Sequence, residues 1–193
     1  MHIILDNLLS RQDTDGIFQF VTSPIFTWSI TQDWGSVDTD YTKHNSDSNT
    51  VESMTLVCQL RTDASIVSTL LKKLQELGII ELKKVHRAKV NLQPRSGDYP
   101  EYAYSTPHID ADYPHHVLIF YLNDADGDTY LFDKRDDITK NYKVCTRITP
   151  KAGSCVVFEG TTIHAGAHPR NTKARVIVNI VFTGKVNYGL QNN

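Results

Sequence analysis

Two residues of types that bind metals, His108 and Asp110, are separated by a single position in the stretch Thr106–Tyr113. Because successive side chains of a β-strand point to opposite faces, positions 108 and 110 would project from the same face. An imidazole and a carboxylate side by side supply two of the three ligands of a 2-His-1-carboxylate metal site. The pair alone is weak evidence, since such pairs are more often surface hydrogen bonds. A metal site requires a second histidine elsewhere in the chain.

His164 is the best candidate for that second histidine. It follows the apolar run Val156–Gly160, which is typical of a buried strand and turn, and the small residues Ala165 and Gly166 leave space beside its ring. The adjacent His115 and His116 would face opposite sides of a strand, so they cannot both point inward. Three other histidines and one other carboxylate remain as competing candidates for metal ligands: His115, His116, His168 and Asp112.

The β-prone run Ala174–Phe182 carries a guanidinium near its start, at Arg175. Alternation places Arg175 and Asn179 on one face of this strand, and both faces are apolar enough to be buried. A buried cation is costly unless a carboxylate meets it, and a bidentate contact with the carboxylate of a ligand would satisfy this need. The alternative is an arginine at a strand edge that pairs with a carboxylate of the chain itself.

The composition is that of an ordinary globular protein. With 193 residues, of which 40% are hydrophobic and 22% charged, we expect a single domain spanning residues 1–193. A net charge of −2 gives no basic field for nucleic acid or an anionic membrane. Three cysteines without paired spacing, the lack of a signal-like N-terminus and the lack of a long apolar run predict a cytoplasmic protein.

The hydrophobic pattern predicts two helices followed by many strands. The first helix would begin after Ser10 and run to about residue 22, with Asp13 in the capping-box position, and the second would be capped by Asp63 and end at Gly78. The polar segment 31–50 reads as a loop and a candidate lid. This order predicts a mainly β, α+β fold of the jelly-roll type. The predicted strands are 2–5, 26–30, 54–60, 79–93, 101–109, 115–122, 128–132, 142–148, 153–158 and 174–183.

Together these motifs resemble the Fe(II)/2-oxoglutarate-dependent dioxygenases, and in particular their prolyl 4-hydroxylase-like branch. The core of the resemblance is His108-x-Asp110, the distal His164 and Arg175 shortly downstream. The resemblance extends over residues 2–184 and includes the flanking segments Ile119–Asn123, with its Tyr-Leu-Asn sequence, Gly127–Phe132 and Lys151–Phe158.

The resemblance implies a double-stranded β-helix in which His108, Asp110 and His164 bind Fe(II). It implies that Arg175 and Tyr121 bind the distal carboxylate of 2-oxoglutarate and that Asn179 supports this co-substrate. Oxygen is the second co-substrate, 2-oxoglutarate becomes succinate and carbon dioxide, and ascorbate is a candidate auxiliary cofactor. The chain departs from the family where relatives place a tyrosine before a proline, because it has Gln93 there. The contact to the iron-side carboxylate is therefore unassigned, with Tyr102 and Tyr104 as alternatives.

The substrate is less constrained than the reaction. A prolyl residue in a peptide or protein is the favoured target, since aromatic rings pack well on proline. The alternatives are a 2-oxoglutarate oxygenase that acts on a free amino acid or other small molecule, and a non-catalytic jelly-roll module that binds a metal or a partner. A buried anion pocket at Arg175 would favour an enzyme over the module. The aromatic residues considered for a peptide cleft are Trp34, Tyr99, Tyr102, Tyr104 and Tyr113.

Overall fold

The computed structural model describes residues 1–32, 47–51, 54–95, 100–135 and 141–190. Its two helices are α1 (Arg11–Val21) and α2 (Ser65–Glu76). Its strands are β1 (His2–Leu5), β2 (Ser29–Gln32), β3 (Met54–Leu60), β4 (Ile80–Pro94), β5 (His116–Tyr121), β6 (Thr129–Arg135), β7 (Tyr142–Ile148), β8 (Cys155–Glu159), β9 (His164–Gly166) and β10 (Ala174–Val186).

The strands form two antiparallel sheets. The larger sheet has the order β1-β8-β5-β10-β4-β3-β2, and the smaller has the order β7-β6-β9. Strands distant in sequence become neighbours in the larger sheet, because β10 lies between β4 and β5. Two facing antiparallel sheets with helices on one side are the jelly-roll, double-stranded β-helix arrangement, which confirms the predicted mainly β, α+β fold.

Side-chain alternation in the central strands divides the interior into two layers. In β10, Val176, Val178 and Ile180 pack in the cluster that also contains Leu70 and Leu74 of α2. The opposite face of β10 contributes Ile177 to the cluster between the sheets, with Leu131 and Phe158. Truncating a fully buried leucine of α2 to alanine would cost about 2–5 kcal/mol of stability. Arg175 and Asn179 share the face of Ile177, as the alternation predicts.

The N-terminal cap predicted for α1 is present in the structure, whereas the one predicted for α2 is not. The backbone N–H of Asp13 donates to Ser10 Oγ at 3.1 Å, so the predicted N-cap of α1 is confirmed. The predicted cap of α2 is wrong, because its N-cap is Ala64 and no side chain caps it. The Asp63 carboxylate instead accepts two hydrogen bonds from the guanidinium of Arg61. No helix in the described ranges is both long and apolar enough to cross a membrane.

Two strand predictions are wrong in different ways. The strand expected at 26–30 begins only at Ser29, since Phe26 and Trp28 pack edge-to-face against each other beneath the sheet. The expected strand 101–109 is irregular and joins its neighbours through two isolated bridges, Thr50 to Tyr104 and His108 to His164. Pro107 lacks an N–H for a ladder, which is one reason why a continuous strand does not form there. The candidate lid 31–50 lies largely outside the described residues.

One carboxylate ties the β5–β6 connection to the segment that leads into β10. Asp126 accepts hydrogen bonds from the backbone N–H groups of residues 170–172 and from the side chains of Asn171 and Thr172. Although partial burial raises the pKa of Asp126, the hydrogen bonds from Thr172 and Asn171 outweigh burial and hold this pKa far below its usual range. The ionised carboxylate therefore fixes the approach to β10.

Replacing Asp126 with alanine should lower the free energy of unfolding by about 2 kcal/mol at neutral pH, because several charge-assisted hydrogen bonds are lost. Since the folded-state pKa is depressed, this stabilisation is present above the unfolded value of 3.8 and is lost progressively as the pH falls from that value toward the folded-state pKa. Urea unfolding of the wild type and of Asp126→Ala at neutral and acidic pH measures both effects. Asp133→Ala, at an exposed position, is the control; equal losses in both variants would contradict the prediction.

Candidate active site

The two candidate histidine ligands are placed side by side by the backbone. The N–H of His108 donates to the carbonyl of His164 at 3.0 Å, and the N–H of His164 donates to the carbonyl of His108 at 2.9 Å. This antiparallel bridge puts both imidazoles on one face, with ring centroids 4.6 Å apart. Residues separated by more than fifty positions in the sequence thus become neighbours through one pair of backbone hydrogen bonds.

Each imidazole has its tautomer set by a backbone carbonyl. His108 Nδ1 lies 2.9 Å from the carbonyl oxygen of Thr106, and His164 Nδ1 lies 3.1 Å from that of Thr162. A carbonyl oxygen only accepts, so both Nδ1 atoms carry the hydrogen and both Nε2 lone pairs are available for a metal. Burial lowers the pKa of His108, and it lowers that of His164 to about 3. Both rings are therefore neutral, as metal ligation requires.

Asp110 completes the set of three ligands. One ligand atom from each of His108, Asp110 and His164 lies within 4.8 Å of the others. Asp110 Oδ2 is 3.6 Å from His164 Nε2, close to the roughly 3 Å that separates two ligands at right angles on one metal ion. Burial raises the pKa of Asp110, but His164, Lys89 and Arg87 lower it more, so the carboxylate is ionised. A 2-His-1-carboxylate set of this kind suits Fe(II).

The competing ligands lie outside this group. Asp112 is exposed, and none of the other histidine candidates belongs to the group of close ligand atoms found in the described residues. Nδ1 of His115 faces the carbonyl of Tyr113, that of His116 faces the Tyr188 hydroxyl, and that of His168 faces the carbonyl of Pro94.

Two residues on neighbouring strands hold the Asp110 carboxylate in place. Arg87 of β4 donates to Asp110 Oδ1, and the Asn179 amide of β10 donates to Oδ2 at 3.2 Å. Oδ1 is thus paired with a guanidinium, which leaves Oδ2 directed toward the histidines. The resemblance implies a role for Asn179 toward the co-substrate, which no contact tests. Arg87 was not selected from the sequence, although it shares a face of the predicted strand 79–93 with Gln93.

Replacing Arg87 with alanine should weaken Fe(II) binding about 10- to 100-fold, because the carboxylate loses the partner that orients it. Arg87→Lys keeps the positive charge without the planar donor fork, and we expect an intermediate affinity. Metal affinity measured under anaerobic conditions checks the order wild type, lysine variant, alanine variant. Equal or tighter binding by Arg87→Ala would show that charge repulsion between Arg87 and the metal outweighs orientation.

A buried cation lies in the same cavity as the histidines. Arg175 is only 3% exposed, and its guanidinium donates to Thr129 Oγ1 at 2.7 Å and to Gln93 Oε1. Within the described ranges no carboxylate forms an ion pair with it, because Asp110 is paired with Arg87 and Asp128 with Arg147. Its Nε also lacks a hydrogen-bond partner in those ranges. A buried guanidinium that is satisfied only by neutral groups is well suited to an anionic ligand.

The backbone around Arg175 is fixed by the asparagine of the Tyr-Leu-Asn sequence. The Asn123 side chain accepts a hydrogen bond from the N–H of Val176 and donates to the carbonyl of Ala174, both at 2.8 Å. Gly166 leaves the space beside the guanidinium, since a Cβ there would come within 3.1 Å of an Arg175 nitrogen. These contacts position Arg175 at the start of β10.

Tyr121 lies behind the arginine. Its hydroxyl donates to Thr129 Oγ1 at 2.8 Å, and Arg175 lies over its ring at 5.9 Å. Burial raises the pKa of Tyr121 to about 12, so the phenol is neutral. The predicted direct contact of Tyr121 with a co-substrate stays a prediction. Thr129, which lines the cavity and links the two residues, was missed, although its segment Gly127–Phe132 had been noted.

The cavity is positively charged, and most of its lining residues are polar. Besides the two histidines, its polar lining residues are Thr55, Lys89, Asn91, Gln93, Ser105, Thr129, Arg175 and Asn179. Lys89 and Arg175 are both cations, and none of the described lining residues is a carboxylate. Tyr102 and Tyr104, the alternatives for the iron-side contact, lie elsewhere: Tyr102 is 60% exposed, and the Tyr104 hydroxyl donates to Asp47. The cavity therefore suits a small dianion beside a metal ion.

Comparisons of the sequence find no matching family model and no matching curated protein. Solved structures do match. A prolyl-4-hydroxylase of Pseudomonas putida is 13% identical, with 95% of this chain and 92% of that chain covered and a TM-score of 0.56. HygX of Streptomyces hygroscopicus, solved with nickel and 2-oxoglutarate bound, is 8% identical, with 95% and 83% covered and a TM-score of 0.61.

A prolyl hydroxylase of Trichoplax adhaerens, in complex with a peptide fragment of the hypoxia inducible factor oxygen degradation domain, is 18% identical. The match covers 94% of this chain and 83% of that chain, with a TM-score of 0.57. An epimerase and a carbocyclase of nogalamycin biosynthesis also match. The chain has the double-stranded β-helix fold of the 2-oxoglutarate/Fe(II) oxygenases, the prolyl 4-hydroxylases among them.

Proposed function

We propose that this protein is an Fe(II)- and 2-oxoglutarate-dependent dioxygenase that hydroxylates an aliphatic C–H bond. The observation that carries the proposal is that one cavity is lined both by His108 and His164, which form a possible metal site with Asp110, and by the buried Arg175, which has no carboxylate partner in the described chain. A structural metal site has no use for a buried anion-binding guanidinium beside it. A dioxygenase that consumes a dicarboxylate requires both features.

The metal ligands are suited to a reactive metal rather than a closed structural site. Three protein ligands on one face leave further coordination positions for the 2-oxo acid and oxygen, and Fe(II) bound there would supply the activation of oxygen. The chain keeps both imidazoles neutral through burial and directs their Nε2 atoms inward through backbone carbonyls. Arg87 and Asn179 hold the carboxylate in its orientation.

The remaining residues bind and orient the co-substrate. Arg175 would bind the distal carboxylate of 2-oxoglutarate, with Thr129 and Gln93 holding the guanidinium at the end of the cavity. Tyr121 supports the same group through Thr129. Because these side chains are buried, the carboxylate is held away from water, where a charge-assisted contact is strongest.

The proposed target is a prolyl residue in a peptide or protein. Two of the structural matches that support it are prolyl hydroxylases, one of them solved with a peptide. Tyr102 and Tyr113 are 60% and 40% exposed, as a surface that packs on proline requires. Trp34 and Tyr99 lie outside the described residues. The epimerase and carbocyclase among the matches keep a free amino acid or other small molecule as the second candidate substrate. The cytoplasmic location of the protein and its use of ascorbate as an auxiliary cofactor remain predictions.

The test is the release of succinate from 2-oxoglutarate with Fe(II) in air, with and without ascorbate. Proline-rich peptides and free amino acids are added as two separate panels. We expect slow turnover by the protein alone and faster turnover with a peptide, and mass spectrometry should show a gain of one oxygen atom in that peptide. Stimulation by free amino acids alone would move the substrate to small molecules. Absence of both metal and 2-oxoglutarate binding would contradict the dioxygenase and leave the jelly-roll module.

A further inference from the structure

The cavity contains a second buried cation, Lys89, in addition to Arg175. The side chain of Lys89 is 6% exposed and lines the same cavity as His108 and His164. Burial lowers the pKa of its ammonium to about 8, which leaves it mainly protonated at neutral pH. Burying an ammonium costs several kcal/mol unless an anion meets it. Strand β4 therefore places a buried positive charge at the cavity, where Asp110 already acts on it.

The register of β4 against β10 places this charge toward the metal ligands. The residues of β4 that share its inward face are Arg87, Lys89, Asn91 and Gln93, and their partners on β10 are Val181, Asn179, Ile177 and Arg175. At one end of this row Gln93 contacts Arg175, and at the other Arg87 contacts Asp110. Lys89 lies opposite Asn179, whose amide donates to Asp110. The two cations of the cavity thus belong to its opposite ends.

The charges at the metal end favour an anion there. Lys89 and Arg87 both act on the pKa of Asp110, the only carboxylate among the three described metal ligands. Asp110 is already paired with Arg87 and accepts from Asn179. A divalent metal ion bound to the triad would add further positive charge. A ligand carboxylate at the metal would therefore be attracted both by the ion and by Lys89.

Gln93 does not supply this contact, although it occupies the position where the resembling family has a tyrosine. Its Oε1 accepts from Arg175, and its Nε2 donates to Ser105 Oγ at 3.4 Å. Both ends of the amide are thus engaged at the arginine end of the cavity. The contact to the metal-side carboxylate therefore needs another donor. Lys89 lines the cavity beside His108 and His164, and its charge acts on Asp110.

We infer that Lys89 binds the metal-side, C-1 carboxylate of 2-oxoglutarate, so that the co-substrate is held between two cations, Arg175 at one end and Lys89 at the other. This inference rests on the proposed function. It assigns a co-substrate contact to a lysine at a position that neither the metal motif nor the arginine motif identifies.

The test uses two analogues that each lack one carboxylate of 2-oxoglutarate. In 2-oxopentanoate a methyl group replaces the distal carboxylate, and in 4-oxopentanoate a methyl group replaces the C-1 carboxylate. Binding of each to the Fe(II)-loaded protein is measured anaerobically by calorimetry, directly or in competition with 2-oxoglutarate. Lys89→Met should weaken 2-oxoglutarate and 2-oxopentanoate about 10- to 100-fold and leave 4-oxopentanoate unchanged. Lys84→Met, at an exposed position of β4, is the matched control.

Fe(II) affinity separates this role from a structural one. Loss of a cation near the metal should leave Fe(II) binding unchanged or slightly tighter, whereas a distorted site would weaken the metal and all three ligands together. Lys89→Gln is measured in parallel, so that one folded variant without the charge is available if the other fails to fold. Unchanged binding of 2-oxopentanoate by a folded variant overturns the inference while the proposed function stands. Failure of the wild type to bind 2-oxoglutarate with Fe(II) overturns both.

Discussion

Replacing His108 with alanine is expected to lower Fe(II) affinity by more than about 100-fold and to abolish succinate release. Loss of a partner that only orients a ligand typically costs 10- to 100-fold in metal affinity, and loss of a direct ligand should exceed that range. The two remaining ligands, Asp110 and His164, would bind the ion weakly and without the facial geometry. Anaerobic metal titration and the succinate assay measure the two effects on the same protein preparation.

The matched control is His86→Ala. His86 lies on β4 of the larger sheet, its Nε2 contacts Thr183 Oγ1 at 3.1 Å, and it does not belong to the metal-ligand group. This variant should retain Fe(II) binding and turnover. If His108→Ala bound Fe(II) as tightly as the wild type, the ligand set would have to be reassigned, with the remaining histidine candidates tested in turn.

Replacing Arg175 with alanine is expected to weaken 2-oxoglutarate binding by about 100-fold or more and to leave Fe(II) binding nearly unchanged. Removing one partner of a buried charged pair typically costs 2–5 kcal/mol, which corresponds to about 30-fold or more in affinity. The guanidinium contacts Thr129 and Gln93 but none of the three metal ligands, so the metal site should survive. Calorimetry with 2-oxoglutarate on the Fe(II)-loaded protein gives the first affinity, and anaerobic metal titration gives the second.

Two further variants test the geometry of this contact. Arg175→Lys keeps the charge but loses the planar fork, so we expect an affinity for 2-oxoglutarate between those of the wild type and Arg175→Ala. Arg170→Ala removes an exposed arginine of the preceding loop and should have no effect. The opposite result for Arg175→Ala, in which iron is lost and the affinity for the co-substrate is kept, would mean that the roles of the arginine and the triad are wrongly assigned.

Features that depend on local residue spacing could be predicted before the structure was known. The alternation of residues in β10 correctly predicted that Arg175 and Asn179 share one face and that both faces are buried, because a strand reverses its side chains at every residue. The small residues Ala165 and Gly166 indicated space beside His164, and both residues line the cavity. The mainly β fold and the capped first helix also followed from local patterns.

The contacts between these elements could not be predicted in the same way. The segment 101–109 resembles a strand locally, yet His108 reaches His164 through a single bridge, because the available partners depend on the whole sheet topology. The contacts of Arg87 and Thr129, and the position of Lys89 in the cavity, could not be read from the sequence for the same reason. Each acts on residues far along the chain, and the register between β4 and β10 sets which charges face each other. Such pairings are properties of packing between distant strands, which local periodicity does not encode.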